Sequence, residues 1–272
     1  MPNSKLTLRE LQQVSLDILK DVHQFCKLHD IRYSLAYGTL LGAVRHQGFI
    51  PWDDDIDIFM PIPDYERFLK TYHSSQYKLA YTGKGCPFDC LIAYARVFDD
   101  QKTIAKNSHW IAERTGVWID IFPLDGVPSD KESFTHLYKK LHAEWEQIIP
   151  YTRLMDQSGI KEKFRLIKKK IRMKNGLGAH KMQEQYNEKI QAIPFESADF
   201  WSQLAVMDNG PVEHMPKETF SDTVLMPFED SHFCVMNGYK ENLKALYGDY
   251  MQLPPENERV QHQSYIRFYW RH

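Results

Sequence analysis

Tyr37–Met60 reads YGTLLGAVRHQGFIPWDDDIDIFM, and the rest of the chain is best read outward from it. Asp53, Asp55 and Asp57 alternate with Asp54, Ile56 and Ile58. Side chains at i, i+2 and i+4 of a strand share a face. The run therefore predicts a strand that projects three carboxylates together and sends Ile56 and Ile58 into a core. Like charges so spaced repel unless a counter-charge joins them, and an all-oxygen cluster suits Mg²⁺ or Mn²⁺. Upstream, Gly38-Thr39 falls where a helix should begin. A glycine there admits a phosphate to the backbone, and a helix N-terminus favours anions. A phosphate cradle beside a carboxylate strand is equipment for phosphoryl or nucleotidyl transfer.

A second informative stretch is Gly116–Gly126, GVWIDIFPLDG. Val117, Ile119 and Ile121 alternate with Trp118, Asp120 and Phe122, so Asp120 faces away from the aliphatics. An Asp on a strand is costly without a partner. Asp120 is either a further acid of the site or the partner of a nearby Arg. Asp125 is expected to serve the turn before Pro128. Leu91–Phe98, LIAYARVF, reads as a strand with Tyr94, Arg96 and Phe98 on one face. Arg96 there either clamps a phosphate or lies on a solvated face. Arg45 is either a second neutraliser of developing charge or reaches back to Asp53.

Towards the ends of the chain the pattern is helical. Thr7–Glu10 (TLRE) is a capping box, and Leu8, Leu11, Val14, Ile18, Val22 and Phe25 recur at spacings of three and four. Further expectations are a strand over 31–37, helices over 39–46 and 63–72, an edge strand over 77–81 and a helix over 239–246. From Asp130 to about Asn187 no strand is evident. Ile160, Phe164, Ile167 and Ile171 form an apolar stripe amid Lys168, Lys169, Lys170 and other basic residues. That helix either meets an anionic membrane surface or a phosphate-bearing acceptor, or it is a solvated outer face. Near the end, Tyr247–Pro255 reads YGDYMQLPP, with Arg259 and His262 downstream. Tyr247 and Tyr250 either face a quaternary ammonium or base, or pack the tail onto the domain.

The turn, helix and Asp-Ile-Asp of the first stretch resemble the signature of the nucleotidyltransferase fold. The string GTLLGAVRHQGFIPWDDDIDI, the string around Asp120 and YGDYMQLPP together resemble the LicD family over roughly residues 10–262. Val235-Met236 departs from the Val-Pro that relatives often carry. The resemblance implies a mixed α/β (α+β) fold: a nucleotidyltransferase-like sheet flanked by helices, with a helical insertion and a C-terminal tail packed on the core. The expected divisions are a catalytic core at 1–128, a helical region at 129–200 and a returning segment at 201–272. The activity implied is Mg²⁺- or Mn²⁺-dependent transfer of a phospho-alcohol, phosphocholine foremost. The donor would be CDP-choline or another CDP-alcohol, the acceptor a cell-surface glycan hydroxyl, and CMP would be released. On this reading Asp55, Asp57 and Asp120 are catalytic and ligate metal with Asp53, while Gly38, Thr39, Arg45, Arg96, Tyr247 and Tyr250 contact substrate. Asp120 is then metal ligand, base for the attacking hydroxyl, or both. Two rivals stand beside it: a nucleotidyltransferase using a nucleoside triphosphate, and a non-catalytic nucleotide-binding module, which would not need clustered acids.

Bulk properties fit this and exclude other classes. The 272 residues are 43% hydrophobic and 26% charged, with net charge −2, which gives no case for nucleic-acid binding. Four cysteines are too few for a disulfide scaffold; Cys86 and Cys90 could contribute to a zinc site, against the plainer reading as ordinary thiols. The N-terminus lacks a signal-peptide layout and no apolar run approaches the ~20 residues of a membrane span. The expected location is the cytoplasm, with peripheral contact at the inner face of the membrane and a glycan acceptor that includes lipid-linked ones.

Overall fold

The computed structural model describes residues 4–81, 93–106, 116–152, 179–260 and 267–271. The capping box opens α1 (Leu8–Leu28): the Thr7 hydroxyl accepts from the Glu10 N–H, and the Thr7 N–H donates to the Glu10 carboxylate at 2.7 Å. Leu11, Val14, Ile18, Val22 and Phe25 are buried along one stripe, as their spacing requires. There follow β1 (Ser34–Leu35), α2 (Tyr37–His46), β2 (Asp57–Pro61) and α3 (Ile62–Thr71), then β3 (Lys78–Tyr81), β4 (Ala95–Phe98), β5 (Thr103–Lys106) and β6 (Trp118–Val127). The rest comprises α4 (Lys131–Thr152), α5 (Ala179–Ile190), β7 (Phe200–Ser202), β8 (Met215–Pro216), β9 (Thr223–Phe228), β10 (Ser231–Met236), α6 (Tyr239–Tyr247) and β11 (Arg267–Trp270).

The fold is mixed α/β. Its main sheet runs β1-β2-β6-β4-β3, with β7 and β8 added along β6. β2 and β6 are parallel and set Asp57 opposite Asp120; β4 is antiparallel to β6 and sets Arg96 opposite Asp120. β4 pairs with residues 118–121 of β6 and β7 with residues 125–127, so Pro123, which has no N–H to give, falls between the two pairings. Ile56, Ile58, Ile119 and Ile121 point to one face, against α1 and the β9–β10 hairpin. Phe59, Phe122 and Leu124 point to the other, against Trp201, Met215, Phe220 and Met236. α4 and α5 share a third apolar cluster, with Phe134, Tyr138 and Tyr186 at its centre. Among the described residues no helix is long and apolar enough to cross a membrane.

Several expectations need correcting. The first strand is only Ser34–Leu35, because Ile31 and Arg32 are spent on other contacts: the Ile31 N–H caps α1 at Cys26 O, and the Arg32 N–H bonds Asp64. The carboxylate run is not strand throughout. β2 starts at Asp57, since the Asp53 N–H closes a turn on Ile50 O and the Asp53 carbonyl accepts from the Gln12 side chain. Asp125 serves no turn; it lies within β6, opposite Ser202 and fully buried. The basic stretch with Lys168, Lys169 and Lys170, the pair Cys86 and Cys90, and His262 lie outside the described residues.

Candidate active site

The site forms where the start of α2 meets the start of β2. The Asp57 N–H donates to the Thr39 hydroxyl at 2.9 Å, and the Ala36 N–H donates to the Asp57 carbonyl at 3.0 Å. The first turn of the helix is thereby stapled to the strand that carries the acids. Gly38 is needed at this junction because a Cβ there would lie 2.6 Å from Asp53 Oδ2. The space a side chain would fill is taken by the Asp53 carboxylate. Tyr37, immediately before it, holds a left-handed backbone at φ 46°. That is rare for an aromatic residue and costs about 1–3 kcal/mol.

Asp53, Asp54 and Asp55 each present an oxygen, and these oxygens lie within 4.8 Å of one another. Alternation puts Asp54 on the opposite face, but it joins the cluster because the chain is a loop there and the alternation rule has no ladder to enforce it. Asp55 and Asp57 keep part of their surface open, whereas Asp53 and Asp120 are buried. Burial pushes the Asp53 carboxyl up to about 6, with the Asp54 charge adding to it and a hydrogen bond shared with Asp55 opposing. Desolvation, then the charges of Asp53, Asp54 and Asp120, drives Asp55 well above the usual carboxylate range. Asp57 is raised by the same cause and by Asp55, Asp120 and Asp53, with Arg96 opposing. An all-oxygen set whose protons are held this strongly is short of positive charge, and a hard divalent cation fits it.

Asp120 is tied to Arg96 by a 2.6 Å bond from Nε to Oδ1, both side chains being buried. Burial raises the Asp120 carboxyl and Arg96 pulls it back. The Arg96 guanidinium also donates to the Tyr94 hydroxyl at 2.9 Å and stacks 4.3 Å from the Trp118 ring centre. Arg96 thus lies not on a solvated face but inside the site, as the cation among its acids. Arg45 turns to the C-terminal string: Nη1 donates to the carbonyls of Tyr250 and Gln252 at 3.1 and 3.2 Å, so it does not reach back to Asp53. Tyr250 packs against the main core. Tyr247 is 43% exposed. Its hydroxyl end is nonetheless desolvated and near Asp57, Glu213, Asp53 and Asp55, which raise its pKa.

The sequence reading missed Glu213 and the role of Tyr37. Glu213 is 4% exposed and accepts from the Tyr37 hydroxyl at 3.1 Å. Burial pushes its carboxyl up to about 7, and the Tyr37 and Asn242 side chains oppose. It lies in an irregular stretch, where no periodicity marks a residue as inward-facing.

The family model for the LicD/FKTN/FKRP nucleotidyltransferase domain matches residues 30–153. Over 267 residues the chain is 36% identical to the lipopolysaccharide cholinephosphotransferase LicD of Haemophilus influenzae, covering 95% of this chain and 96% of that one. The chain belongs to the LicD family. Shorter stretches are similar to uncharacterized proteins of Rickettsia typhi (38% over 76 residues) and Rickettsia prowazekii (40% over 67 residues). These cover 26% and 24% of this chain and 25% of each relative.

Proposed function

We propose that this LicD-family chain is an enzyme that transfers phosphocholine from CDP-choline to a hydroxyl of a cell-surface glycan, releasing CMP. The observation that carries the proposal is the cluster of Asp53, Asp54 and Asp55 oxygens, with Asp57 in register with Asp120 just beyond it, in a chain similar along nearly its whole length to a cholinephosphotransferase. Asp53, Asp55 and Asp57, with Asp120 beside them, would hold Mg²⁺ or Mn²⁺, which supplies neutralising charge for the donor's phosphates.

The protein's own groups account for the rest. The N–H groups opening α2 at Gly38 and Thr39 face the donor phosphate, and the Thr39 hydroxyl fixes Asp57. Asp120 takes the proton of the acceptor hydroxyl as its oxygen bonds to the choline-bearing phosphorus. The bond from that phosphorus to the bridging oxygen breaks, and CMP leaves with the electron pair. Arg96 orients Asp120 and balances charge that gathers on the phosphoryl oxygens. Tyr247 closes the rim, held there by the grip of Arg45 on the following loop.

CMP release from a panel of CDP-alcohols, against pyrophosphate release from nucleoside triphosphates, tests the proposal. Each reaction is run with host surface glycan, including lipid-linked glycan, and with and without a chelator. Mass spectrometry of the glycan should show an added phosphocholine, dependent on divalent metal. Pyrophosphate release alone would replace the proposal with nucleotidyl transfer.

A further inference from the structure

Glu213 has no part in the phosphoryl chemistry above, yet it is built into the same face of the sheet. β7 pairs with the second half of β6, β8 pairs with β7, and Glu213 precedes Met215 of β8 by two positions. Asp120 and Phe122 project from that face of β6, and Phe122 and Met215 belong to one apolar cluster. Tyr37 links the two regions: its hydroxyl donates a hydrogen bond to Glu213 Oε2, and its backbone leads into Gly38 and Thr39. Tyr37 and Tyr247 both respond to the charge of Glu213 and of Asp57.

The second Glu213 oxygen, Oε1, has no hydrogen-bond partner among the described residues, nor does either amide atom of the buried Asn242 beside it. A buried carboxyl with only a phenol and an amide beside it is costly to ionise, and a cation seated against it would offset that cost. The surroundings say which kind. Tyr37, Tyr94 and Tyr239 are partly buried members of the cluster that contains Phe122, and Tyr37 and Tyr94 lie 5.6 and 4.6 Å from the Phe122 ring centre. A hard metal ion finds too few oxygens there. A quaternary ammonium, which donates no hydrogen bonds, is held by aromatic faces and a nearby negative charge.

We infer that Glu213, with Tyr37 and Tyr247, forms the subsite for the quaternary ammonium of the donor's choline and so selects choline over uncharged alcohols. This rests on the phosphocholine-transfer reading. Choline carries its ammonium two carbons from the phosphate oxygen, and the residue that contacts Glu213, Tyr37, is also the one that precedes the phosphate turn.

The test replaces the charge of the ligand before any residue is changed. CDP-choline is compared with its 3,3-dimethylbutyl analogue, in which carbon stands for the ammonium nitrogen, and with CDP-ribitol. Wild-type protein should favour CDP-choline over the carbon analogue by about tenfold or more in kcat/KM. Glu213→Gln should collapse that ratio to about twofold, chiefly through KM for CDP-choline, while kcat/KM for the analogue falls much less. Equal use of the two donors by wild-type protein overturns the inference, as does an equal loss on both in Glu213→Gln. A clear preference for CDP-ribitol would do so too, making Glu213 and Asn242 hydroxyl partners. If thermal melting shows that Glu213→Gln does not fold, Tyr247→Leu must narrow the same ratio. Calorimetry with phosphocholine and the phosphate of the carbon analogue reads the discrimination without turnover. A chain that transfers nothing from any CDP-alcohol would therefore refute phosphocholine transfer, while the ammonium subsite stands or falls on binding.

Discussion

Asp120 sits between a cation and a carboxylate: Arg96 holds one of its oxygens at 2.6 Å, and Asp57 faces it across the parallel ladder. Burial raises its proton affinity and Arg96 lowers it, so its replacement should read out twice. In Asp120→Asn the shape survives but the buried guanidinium loses its closest counter-charge. Removing one partner of such a pair costs about 3–5 kcal/mol, the lower end applying here because Asp57 also interacts with Arg96. Turnover should fall by about 10²-fold or more, the range for a lost general base. Asp120→Asn combined with Arg96→Met should regain much of the stability and none of the turnover. Denaturant unfolding beside single-turnover rates separates the two effects; wild-type rates in Asp120→Asn would remove it from the chemistry. Asp57→Asn should behave oppositely in the metal-free protein, since it relieves repulsion. It should melt higher than wild type without metal and transfer nothing with it.

At the scale of elements, the site depends on how closely α2 approaches the loop before β2. Gly38→Ala puts a methyl group 2.6 Å from Asp53 Oδ2, and the carboxylate must swing away. The backbone of Gly38 is an ordinary helical one, so the expected stability change is small. The expected loss is in divalent-cation affinity and turnover, measured by Mn²⁺ titration calorimetry and CMP release. Unchanged Mn²⁺ affinity would show that Asp53 does not contribute to the cation site. This junction was legible in the sequence because three signals coincide there: a glycine at a helix start, alternating acids, and aliphatics of opposite parity. The same parity argument foresaw Asp120. It failed for Asp54, where a turn at Ile50 and the Gln12 side chain occupy the backbone groups that a ladder would have used. The β9–β10 hairpin was missed because Pro227 discourages a strand reading, although in this two-stranded sheet it lies in register with His232. Glu213 was invisible for a different reason: its neighbours Tyr37 and Asn242 are 176 and 29 positions away, respectively, and only the addition of β7 and β8 to β6 brings it in.

For the molecule as a whole, the acid cluster makes stability depend jointly on pH and metal. Asp53, Asp55, Asp57 and Asp120 all hold their protons more tightly folded than unfolded. Between the unfolded value near 4 and the folded value of about 6 for Asp53, the native chain binds more protons than the unfolded one. Stability from this cluster therefore falls as pH rises through that window, and further as the higher groups ionise. His23, His46 and His214 act the other way: burial holds each below its usual value, so their contribution grows as pH rises through the histidine range. Subtracting the melting profile of Asp57→Asn from that of wild type cancels the histidines and leaves the cluster. Without metal, the Asp57→Asn protein should be more stable than wild type at about pH 8, with the gap closing towards about pH 5. Saturating Mg²⁺ or Mn²⁺ should reverse the order at about pH 8, because the cation binds the ionised native site and not the unfolded chain, and should do little at about pH 5, where protons compete for the same oxygens. Differential scanning fluorimetry across pH, with and without metal, checks both arms. A wild-type profile parallel to that of Asp57→Asn in both conditions would mean that the cluster neither repels itself nor binds a cation.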